Sequence, residues 1–302
     1  MTMALPTLTH KLPDSTRLGR AHLKVTNFER AAAVWRDLVG LSILSRDRDS
    51  MEMGVGSRVL LAFCASARDE ASEASLGLHH VALHIPSDKE FARVAARLGT
   101  VGRSFRAVDR TVAKAIYLSD DDGIGIELVL ETPHRGRLEV VGGGLRAVSV
   151  GGEIHPAALP LDLRPMVGDF IDAAGLAHPL PGGTELGHIH LRVRDLDLTN
   201  RFYADTIGFL PLLQVPAFGM YDVGTATRPH LVAFSNWTAA DAPDASAAMA
   251  GLKWFTISVP SPDVIEGVAG RLAAGGIRFL ESTNAVQAND PDGNSIIVTC
   301  DD

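Results

Sequence analysis

An internal repeat is the feature of this sequence that most limits its fold. The segment LGRAHLKVTNFERAAAVWRDLVGL, residues 18–41, can be laid over LGHIHLRVRDLDLTNRFYADTIGF, residues 186–209. In the same way YLSDDDGIGIELVL, residues 117–130, matches AVQANDPDGNSIIV, residues 285–298. Matches of this kind indicate that the chain is built from copies of one supersecondary unit.

Each unit opens with a strand pattern and continues with a helix pattern. Apolar residues alternate at period two in the first segment and recur at helical spacing in the second. The predicted first strands are Leu18–Val25, Leu78–Ile85, Leu186–Val193 and Leu252–Val259, and the predicted helices are Phe28–Leu38, Asp88–Leu98, Asp197–Ile207 and Pro262–Ala273. Asn27 and Gly40 are suitable caps for the first helix. Three strand-like runs follow each helix, so the order βαβββ occurs four times and predicts an α+β fold of four modules.

The repeats suggest a division of the chain. Residues 1–15 are polar and interrupted by prolines, which predicts an N-terminal arm. Residues 16–133 hold units one and two as a first domain, and residues 184–302 hold units three and four as a second. Between them, residues 134–183 are rich in glycine and proline and read as a long linker with short strand or helix pieces such as Leu163–Ala173.

Charge and cysteine content exclude several classes of protein. The net charge of −8, without a long basic run, argues against nucleic acid or an anionic membrane as a partner. No apolar run approaches the roughly 18 residues that span a bilayer, and the N-terminus lacks the apolar core of a signal peptide. Cys64 and Cys300 are far apart and form no CxxC motif. We therefore expect a soluble protein in the reducing cytoplasm.

Four βαβββ units in one chain resemble the vicinal oxygen chelate superfamily of glyoxalase I, extradiol ring-cleaving dioxygenases and bleomycin-resistance proteins. The segments GLHHVALHIP, AIYLSDDDGIGIEL and PLPGGTELGHIHL are most similar to the bacterial catechol 2,3-dioxygenase branch. The resemblance implies two cup-shaped half-barrels, each closed by the strands of two units. It also implies metal ligands on the first and last strands of the units.

Equivalent positions of the four units differ in their ability to bind a metal. When the alternating apolar residues of the four first strands are aligned, Arg20, His80, His188 and Trp254 occupy equivalent positions. In the last strands of units two and four, Glu127 and Ile297 occupy equivalent positions. The candidate ligands are therefore His80, His188 and Glu127. Two imidazoles and a carboxylate that leave neighbouring positions open are typical of non-haem Fe(II), with Mn(II) as the alternative.

This ligand set predicts which units pair. Units two and three should share the metal cup, and units one and four should form a second cup without metal. Three other histidines compete with the candidates. His190 has the parity of His188 and could line the cup, bind substrate or replace His188 as a ligand. His79 has the wrong parity, and His84 lies at the far end of its strand.

The resemblance also implies residues around the metal. The family has a tyrosine ten residues before the ligand glutamate, as Tyr117 is here, and a catalytic acid–base histidine in the last strand of a unit, matched by His230. Imidazole suits proton transfer because its pKa lies near neutral. Tyr117 could instead be a packed aromatic residue, and His230 a hydrogen-bonded strand histidine whose surroundings do not alternate cleanly.

One position departs from the family pattern. The branch usually reads SDH before this hairpin, where the histidine contacts the bound diol, whereas this chain has Val108, Asp109 and Arg110. Arg110 has a planar fork of donors that could bind a ring carboxylate or an anionic oxygen of the substrate, or pair with Asp109 at the surface.

The resemblance therefore predicts an Fe(II)-dependent extradiol dioxygenase that cleaves a catechol-type ortho-diphenol with O2. One alternative is a glyoxalase-like, metal-dependent isomerase or lyase, and another is a metal-free binding protein of the bleomycin-resistance kind. The last strand of unit three, HLVAFS, lacks the second carboxylate that glyoxalases use. The sequence leaves the oligomeric state open, a homo-oligomer included.

Overall fold

A computed structural model describes residues 11–168, 173–238 and 241–300. The predicted N-terminal arm lies mostly outside these ranges. Its described end is fixed to unit three, since Leu12 is buried and its N–H donates to the carbonyl oxygen of Gly208 at 2.8 Å. In the ranges given, none of the helices has the length and apolar character needed to cross a bilayer.

The first two units have the predicted order of elements. Unit one contains β1 (Arg17–Lys24), α1 (Phe28–Val34), β2 (Ser42–Arg46), β3 (Met51–Val55) and β4 (Arg58–Cys64). Unit two contains β5 (Gly77–His84), α2 (Asp88–Thr100), β6 (Arg106–Asp109), β7 (Ala113–Ser119) and β8 (Gly125–Glu131).

The predicted linker carries more regular structure than its composition indicates. Its elements are β9 (Gly136–Val141), β10 (Gly144–Ser149), β11 (Ile154–Pro156), β12 (Leu159–Pro160), α3 (Arg164–Val167) and α4 (Ala173–Leu176). Strands β9 to β11 form a three-stranded sheet of their own, while β12 pairs with β6. The short strand or helix piece predicted over residues 163–173 contains α3, and residues 169–172 lie outside the described ranges.

Units three and four repeat the order of the first two. Unit three contains β13 (Glu185–Arg192), α5 (Leu196–Arg201), β14 (Leu210–Val215), β15 (Met220–Gly224) and β16 (Val232–Ser235). Unit four contains β17 (Gly251–Ser258), α6 (Pro262–Ala274), β18 (Phe279–Ser282), β19 (Ala285–Asn289) and β20 (Ser295–Thr299). The α+β fold of four βαβββ modules is therefore confirmed.

The helices of units one and three end in the same way. As predicted, Asn27 caps α1, because its side chain accepts hydrogen bonds from the N–H groups of Glu29 and Arg30. Both α1 and α5 then widen into a π-helical turn, over Trp35–Val39 and Phe202–Ile207. Each turn stops at a glycine, Gly40 or Gly208, whose φ of 101° or 108° suits a residue without Cβ.

Strands from distant units pair to form two large sheets. The nine-stranded sheet has the order β12-β6-β7-β8-β5-β13-β16-β15-β14, and the eight-stranded sheet has the order β18-β19-β20-β17-β1-β4-β3-β2. Units two and three thus share one sheet and units one and four share the other, which confirms the predicted pairing. Each sheet takes one unit from each side of the linker. The division into domains 16–133 and 184–302 stays a prediction.

One apolar core joins the two sheets and the helices. It includes large side chains from all four units, among them Trp35, Phe91, Tyr203, Phe234 and Phe255, each fully buried. Burial of such side chains is worth about 1.5–3 kcal/mol each. The other face of the nine-stranded sheet carries His80, Glu127, His188 and His190, and we call it the polar face.

Two buried aspartates lie in equivalent turns, and each accepts a hydrogen bond from a side chain of a π-helical segment. In the turn before β8, Asp120 accepts hydrogen bonds from two backbone N–H groups and from Trp35 Nε1 at 3.0 Å. In the turn before β20, Asp290 does the same for the backbone and accepts from the hydroxyl of Tyr203 at 3.2 Å and from the amide of Asn294 at 2.9 Å. Burial raises the pKa of both carboxyls to about 6.

This pair of turns gives a test of the fold. D120N should lower the free energy of unfolding by about 1–3 kcal/mol, because the new amide N–H would face the donor-only Trp35 Nε1. D290N should cost less, because the Tyr203 hydroxyl and the Asn294 side chain can both turn to present an acceptor. Urea unfolding of the two variants measures the difference. Equal destabilisation would contradict this account of the turns.

Candidate metal centre

Three predicted ligands meet on the polar face. Nε2 of His80 lies 3.0 Å from Nε2 of His188, and each of these nitrogens lies 2.9 Å from Oε2 of Glu127. All three side chains are buried, with 4–5% of each residue exposed. Neighbouring ligands of an octahedral ion at about 2.1 Å are separated by about 3.0 Å. The three atoms therefore have the spacing of one face of a metal coordination octahedron.

Each arrangement of hydrogen bonds within this triangle leaves an unfavourable contact. A neutral imidazole carries one proton, so each Nε2 is either a donor or an acceptor. If both nitrogens donate to Glu127, their N–H groups oppose each other, and if one accepts, its lone pair faces the carboxylate. A cation beside the triangle would accept a lone pair from each atom. The donor set thus fits a divalent metal, and two nitrogens with one carboxylate suit a transition metal.

The charges of these groups suit metal binding. Burial opposes ionisation of Glu127, but His188 and His80 outweigh it and keep the pKa of the carboxyl below its usual range. Tyr117 also donates a hydrogen bond to Oε1 of Glu127. Burial, with a further contribution from His230, lowers the pKa of His188 well below 6.5, so this imidazole is neutral at physiological pH. A neutral imidazole and an ionised carboxylate are the forms that bind metals.

His79 contacts the centre, contrary to the prediction from parity. Its Nδ1 lies 2.7 Å from Nδ1 of His80, and its ring stacks on His190 with centroids 4.7 Å apart. The reason is a break in the regular β5–β13 pairing next to His190, which disturbs the alternation at the start of β5. A metal-bound histidine is normally oriented through its second nitrogen, and His79 fills that position for His80. Nδ1 of His188 has no such partner in the described chain.

The other two competing histidines lie around the triangle. Nε2 of His190 is 3.0 Å from the hydroxyl of Ser235, and its ring centroid is 4.9 Å from that of His80. With His79 and His80 it forms a second group whose nitrogens are close enough to share an ion. His84 lies over Gly187, where a Cβ would overlap its ring, and its Nε2 is 3.5 Å from a carboxylate oxygen of Glu131.

His230 is close to the triangle but not on a strand, so that part of its prediction is wrong. It precedes β16 in the left-handed backbone region, with φ of 62°, which explains the missing alternation in the sequence. Its ring centroid lies 4.4 Å from that of His188, and its Nδ1 lies 2.6 Å from a carboxylate oxygen of Asp222. Burial would lower the pKa of His230, but Asp222 outweighs it and raises the pKa.

Arg110 and Tyr117 form a chain of hydrogen bonds to the triangle. Nη2 of Arg110 donates to the hydroxyl of Tyr117 at 2.8 Å, and that hydroxyl donates to Glu127. Burial and the charge of Glu127 raise the pKa of Tyr117, so the phenol stays protonated. Arg110 does not pair with Asp109, which instead binds Arg135 at 2.7 Å and the N–H of Thr111.

The corresponding positions of the eight-stranded sheet hold no such group. Nη1 of Arg20 lies 3.5 Å from Oε1 of Glu52, and its guanidinium lies 5.8 Å from the centre of the Trp254 ring. Across the described ranges, potential metal-binding groups of three or more residues occur only in the nine-stranded sheet. The expectation of a second cup without metal stays a prediction.

A separate cavity of about 560 Å³ lies where the two sheets approach each other, and no candidate site residue lines it. It is bordered by Lys24, Arg192 and Arg194. These cations are already engaged, since Arg192 donates to three backbone carbonyls, Lys24 to two, and Arg194 pairs with Asp244 at 2.9 Å. We therefore place the candidate functional site at the triangle and not in this cavity.

Several residues near the triangle escaped prediction. Asp222 lies between buried Tyr221 and Val223 on β15, and an acid that alternates with apolar residues was a usable signal. Trp237, with its ring centroid 5.3 Å from that of His190, follows a strand in an irregular segment and gives no such signal. Arg106 lies over the ring of Tyr117 at 4.9 Å and was hidden among other surface arginines.

Comparison with known proteins identifies the class. Residues 185–298 match the family model of the glyoxalase/bleomycin resistance protein/dioxygenase superfamily. The chain also has the fold of glyoxalase I from Zea mays, with a TM-score of 0.56 and 16% identity over 94% of this chain and 92% of that one. The cppA protein of Streptococcus pneumoniae TIGR4 has a TM-score of 0.54 and 12% identity over 96% and 98%. The superfamily resemblance is thereby confirmed, with the family-model match extending over residues 185–298.

One relative matches nearly the whole chain. The chain is 28% identical over 285 residues to a protein named catechol-2,3-dioxygenase of Bacillus subtilis (strain 168), which covers 92% of this chain and 95% of the relative. The match therefore extends over all four units and includes the strands that carry His80, Glu127 and His188.

Two half-buried histidines should make the metal-free protein sensitive to acid. Burial lowers the pKa of His79 to about 3 and that of His84 to about 4. Between these values and about 6.5 the unfolded chain binds protons that the folded chain does not, so stability should fall as the pH drops through this window. Urea midpoints measured between pH 7 and pH 4.5 should show it. H84Q should flatten the dependence, and an unchanged slope in that variant would contradict the assignment.

Proposed function

We propose that this chain is an Fe(II)-dependent extradiol dioxygenase that cleaves a catechol-type ortho-diphenol, with His80, His188 and Glu127 as metal ligands and Mn(II) as the alternative ion. The observation that carries the proposal is the buried triangle of two imidazoles and one carboxylate with mutual distances of 2.9–3.0 Å. A facial set of this kind leaves neighbouring positions free for exogenous ligands.

When bound, Fe(II) supplies electron transfer between an ortho-diol and dioxygen. The protein supplies the geometry and the protons. The three ligands come from β5, β8 and β13, which are neighbouring strands of one sheet, so their positions relative to one another are rigid. Rigid elements suit a centre in which small displacements are costly for the rate. Burial of the triangle also excludes bulk water from the reacting oxygens.

His230 is proposed as the acid–base residue. Its Nδ1 is held by Asp222 at 2.6 Å, which leaves Nε2 to accept a proton from a diol hydroxyl and return it to the opened product. Its ring lies edge-to-face beside His188, so Nε2 is within reach of a ligand that occupies the open side of the triangle. Asp222 in this arrangement orients the ring and stabilises its protonated form.

Tyr117, Arg110 and His190 are proposed to contact the bound molecules. The protonated Tyr117 hydroxyl can turn its one proton from Glu127 to an oxygen atom next to the metal, while its own oxygen still accepts from Arg110. Arg110 occupies the place where the resembling branch has a diol-contacting histidine. His190, packed between His79, His80 and Trp237, offers a flat wall beside the diol ring.

The match to a relative named catechol-2,3-dioxygenase supports an oxygenase over the two alternatives. A glyoxalase-like reaction would use a second carboxylate from the last strand of unit three, and β16, with the sequence VAFS, contains none. A metal-free binding protein would have no use for three buried ligand-type groups that protons cannot satisfy together.

Substitution of the ligand carboxylate tests the proposal. The purified protein is loaded anaerobically with Fe(II), and oxygen uptake is followed with catechol and 4-methylcatechol. E127Q should lose bound iron and at least about 99% of the uptake, because an amide is a much weaker ligand than a carboxylate. E131Q is the matched control on the same strand, and it should retain both.

Three outcomes would reject the assignment. Full iron content and full uptake in E127Q would exclude Glu127 as a ligand. Preference for zinc or nickel, with no oxygen uptake, would favour an isomerase or lyase. Failure of the wild-type protein to retain any divalent ion would favour a binding protein.

The role of His230 can be read from the pH dependence of the rate. Because Asp222 raises the pKa of His230, D222N should lower it. The limb of the kcat profile that reports this group should therefore move to lower pH, with a drop in kcat of about 10–100-fold at the optimum. Glu52 is the equivalent of Asp222 in the eight-stranded sheet, because Glu52 lies opposite Ala62 as Asp222 lies opposite Ala233. E52Q is therefore the matched control. An unmoved limb in D222N would exclude His230 as the acid–base residue.

A further inference from the structure

Two guanidinium groups lie beside Tyr117 on the polar face. Arg106 is paired with Tyr117 across β6 and β7, and Tyr117 is paired with Glu127 across β7 and β8. Residues directly opposite in antiparallel strands project to the same side, so Arg106 shares the face of the metal triangle. Arg110, four residues later, has the same parity and reaches the Tyr117 hydroxyl.

Both arginines pack against the phenol ring that lies beside His80, whose ring centroid is 5.8 Å from that of Tyr117. Their guanidinium carbons lie 4.9 Å and 5.9 Å from the centre of the Tyr117 ring. The two cations therefore lie beside the same phenol ring.

Neither guanidinium has an acidic partner. In the described chain, Arg106 forms no salt bridge or hydrogen bond, Arg110 bonds only to the neutral Tyr117 hydroxyl, and Nε of Arg110 is buried with no acceptor. The nearby carboxylates have other partners. Glu127 contacts the histidines of the triangle, Asp222 contacts His230, and Asp109 pairs with Arg135. Arg106 is exposed, so water can solvate its guanidinium, whereas the Nε of Arg110 is a buried donor without an acceptor. A buried polar group of this kind is costly unless a ligand completes it.

The position of Arg110 is held by a strained turn. Thr111, the next residue, has φ of 65°, a conformation that is unfavourable for a β-branched side chain. Its N–H donates to Asp109 Oδ1 at 2.7 Å, and its carbonyl accepts from the Thr132 hydroxyl at 2.8 Å. Retained strain of this kind occurs where a residue must be held in a functional position.

We propose that the natural diphenol carries a carboxylate substituent, on the ring or on a short side chain, and that Arg106 and Arg110 bind it. This inference rests on the proposed function and names its substrate class. A guanidinium fork matches a carboxylate in geometry and charge, and one anion between the two arginines would satisfy the free Nε of Arg110. The diol end of the same molecule would then point past Tyr117 towards the triangle.

Binding without turnover tests this assignment. Fe(II)-loaded protein is titrated anaerobically, by calorimetry, with 3,4-dihydroxybenzoate and with its neutral isostere 3,4-dihydroxybenzamide. The acid should bind at least about ten-fold more tightly than the amide. R106Q and R110Q should each reduce this preference to less than about three-fold. R103Q is the control, because Arg103 is a nearby arginine that pairs with Asp121 and should leave the preference unchanged.

Several results would overturn the inference. Equal affinity for acid and amide in the wild-type protein would do so, as would a full preference for the acid in R106Q. If R110Q weakens the binding of acid and amide equally, Arg110 only positions Tyr117 and the two-arginine site is wrong. Oxygen uptake with 4-methylcatechol is measured in parallel. Uptake together with equal affinities overturns this inference alone, whereas no uptake with any diol overturns the proposed function.

Discussion

The antiparallel pairing of β5 with β13 is the contact on which the candidate centre depends. These strands belong to units two and three, which lie on opposite sides of the long linker, and their pairing places His80 opposite His190 and Ala82 opposite His188. Parallel pairing of β5 with β8 then places Glu127 opposite Ala82. The small side chain of Ala82 leaves space between His188 and Glu127. A shift of one residue in either register would turn the ligands to the apolar face.

Buried Arg192 helps to hold that register. It extends from the end of β13 and donates to the carbonyl oxygens of Ser72, Ser75 and Leu78, which lie in and before the start of β5. A guanidinium that bonds three carbonyls satisfies acceptors that would otherwise be unpaired in the interior. This contact crosses the same seam as the ligands, so the fold stabilises the strand pair independently of any metal.

How much the sequence revealed depended on the periodicity of each segment. Alternation and the repeat were sufficient for four βαβββ units and for the selection of His80, Glu127 and His188, because these properties follow from strand parity. The pairing of units and the meeting of the three residues needed the family resemblance, which implies that two units close one cup. They were insufficient where the backbone departs from regular geometry. The irregular β5–β13 pairing brings His79 to the centre, and the left-handed conformation of His230 takes it off its strand. The sheet β9–β11 was missed because glycines and prolines hid its short strands.

The two departures from regular backbone near the centre have a common meaning. In the described chain, Thr111 and His230 are the only residues other than glycine with positive φ, and both border the polar face. The eight-stranded sheet has the same strand order, repeat and register, but it carries neither positive φ at a non-glycine residue nor a ligand cluster. Since the shared fold forms without these features there, folding does not require them. Their retention in one sheet alone is explained by the chemistry of the site. There, the benefit of fixing His230 and Arg110 in position outweighs the energetic cost of the strained backbone.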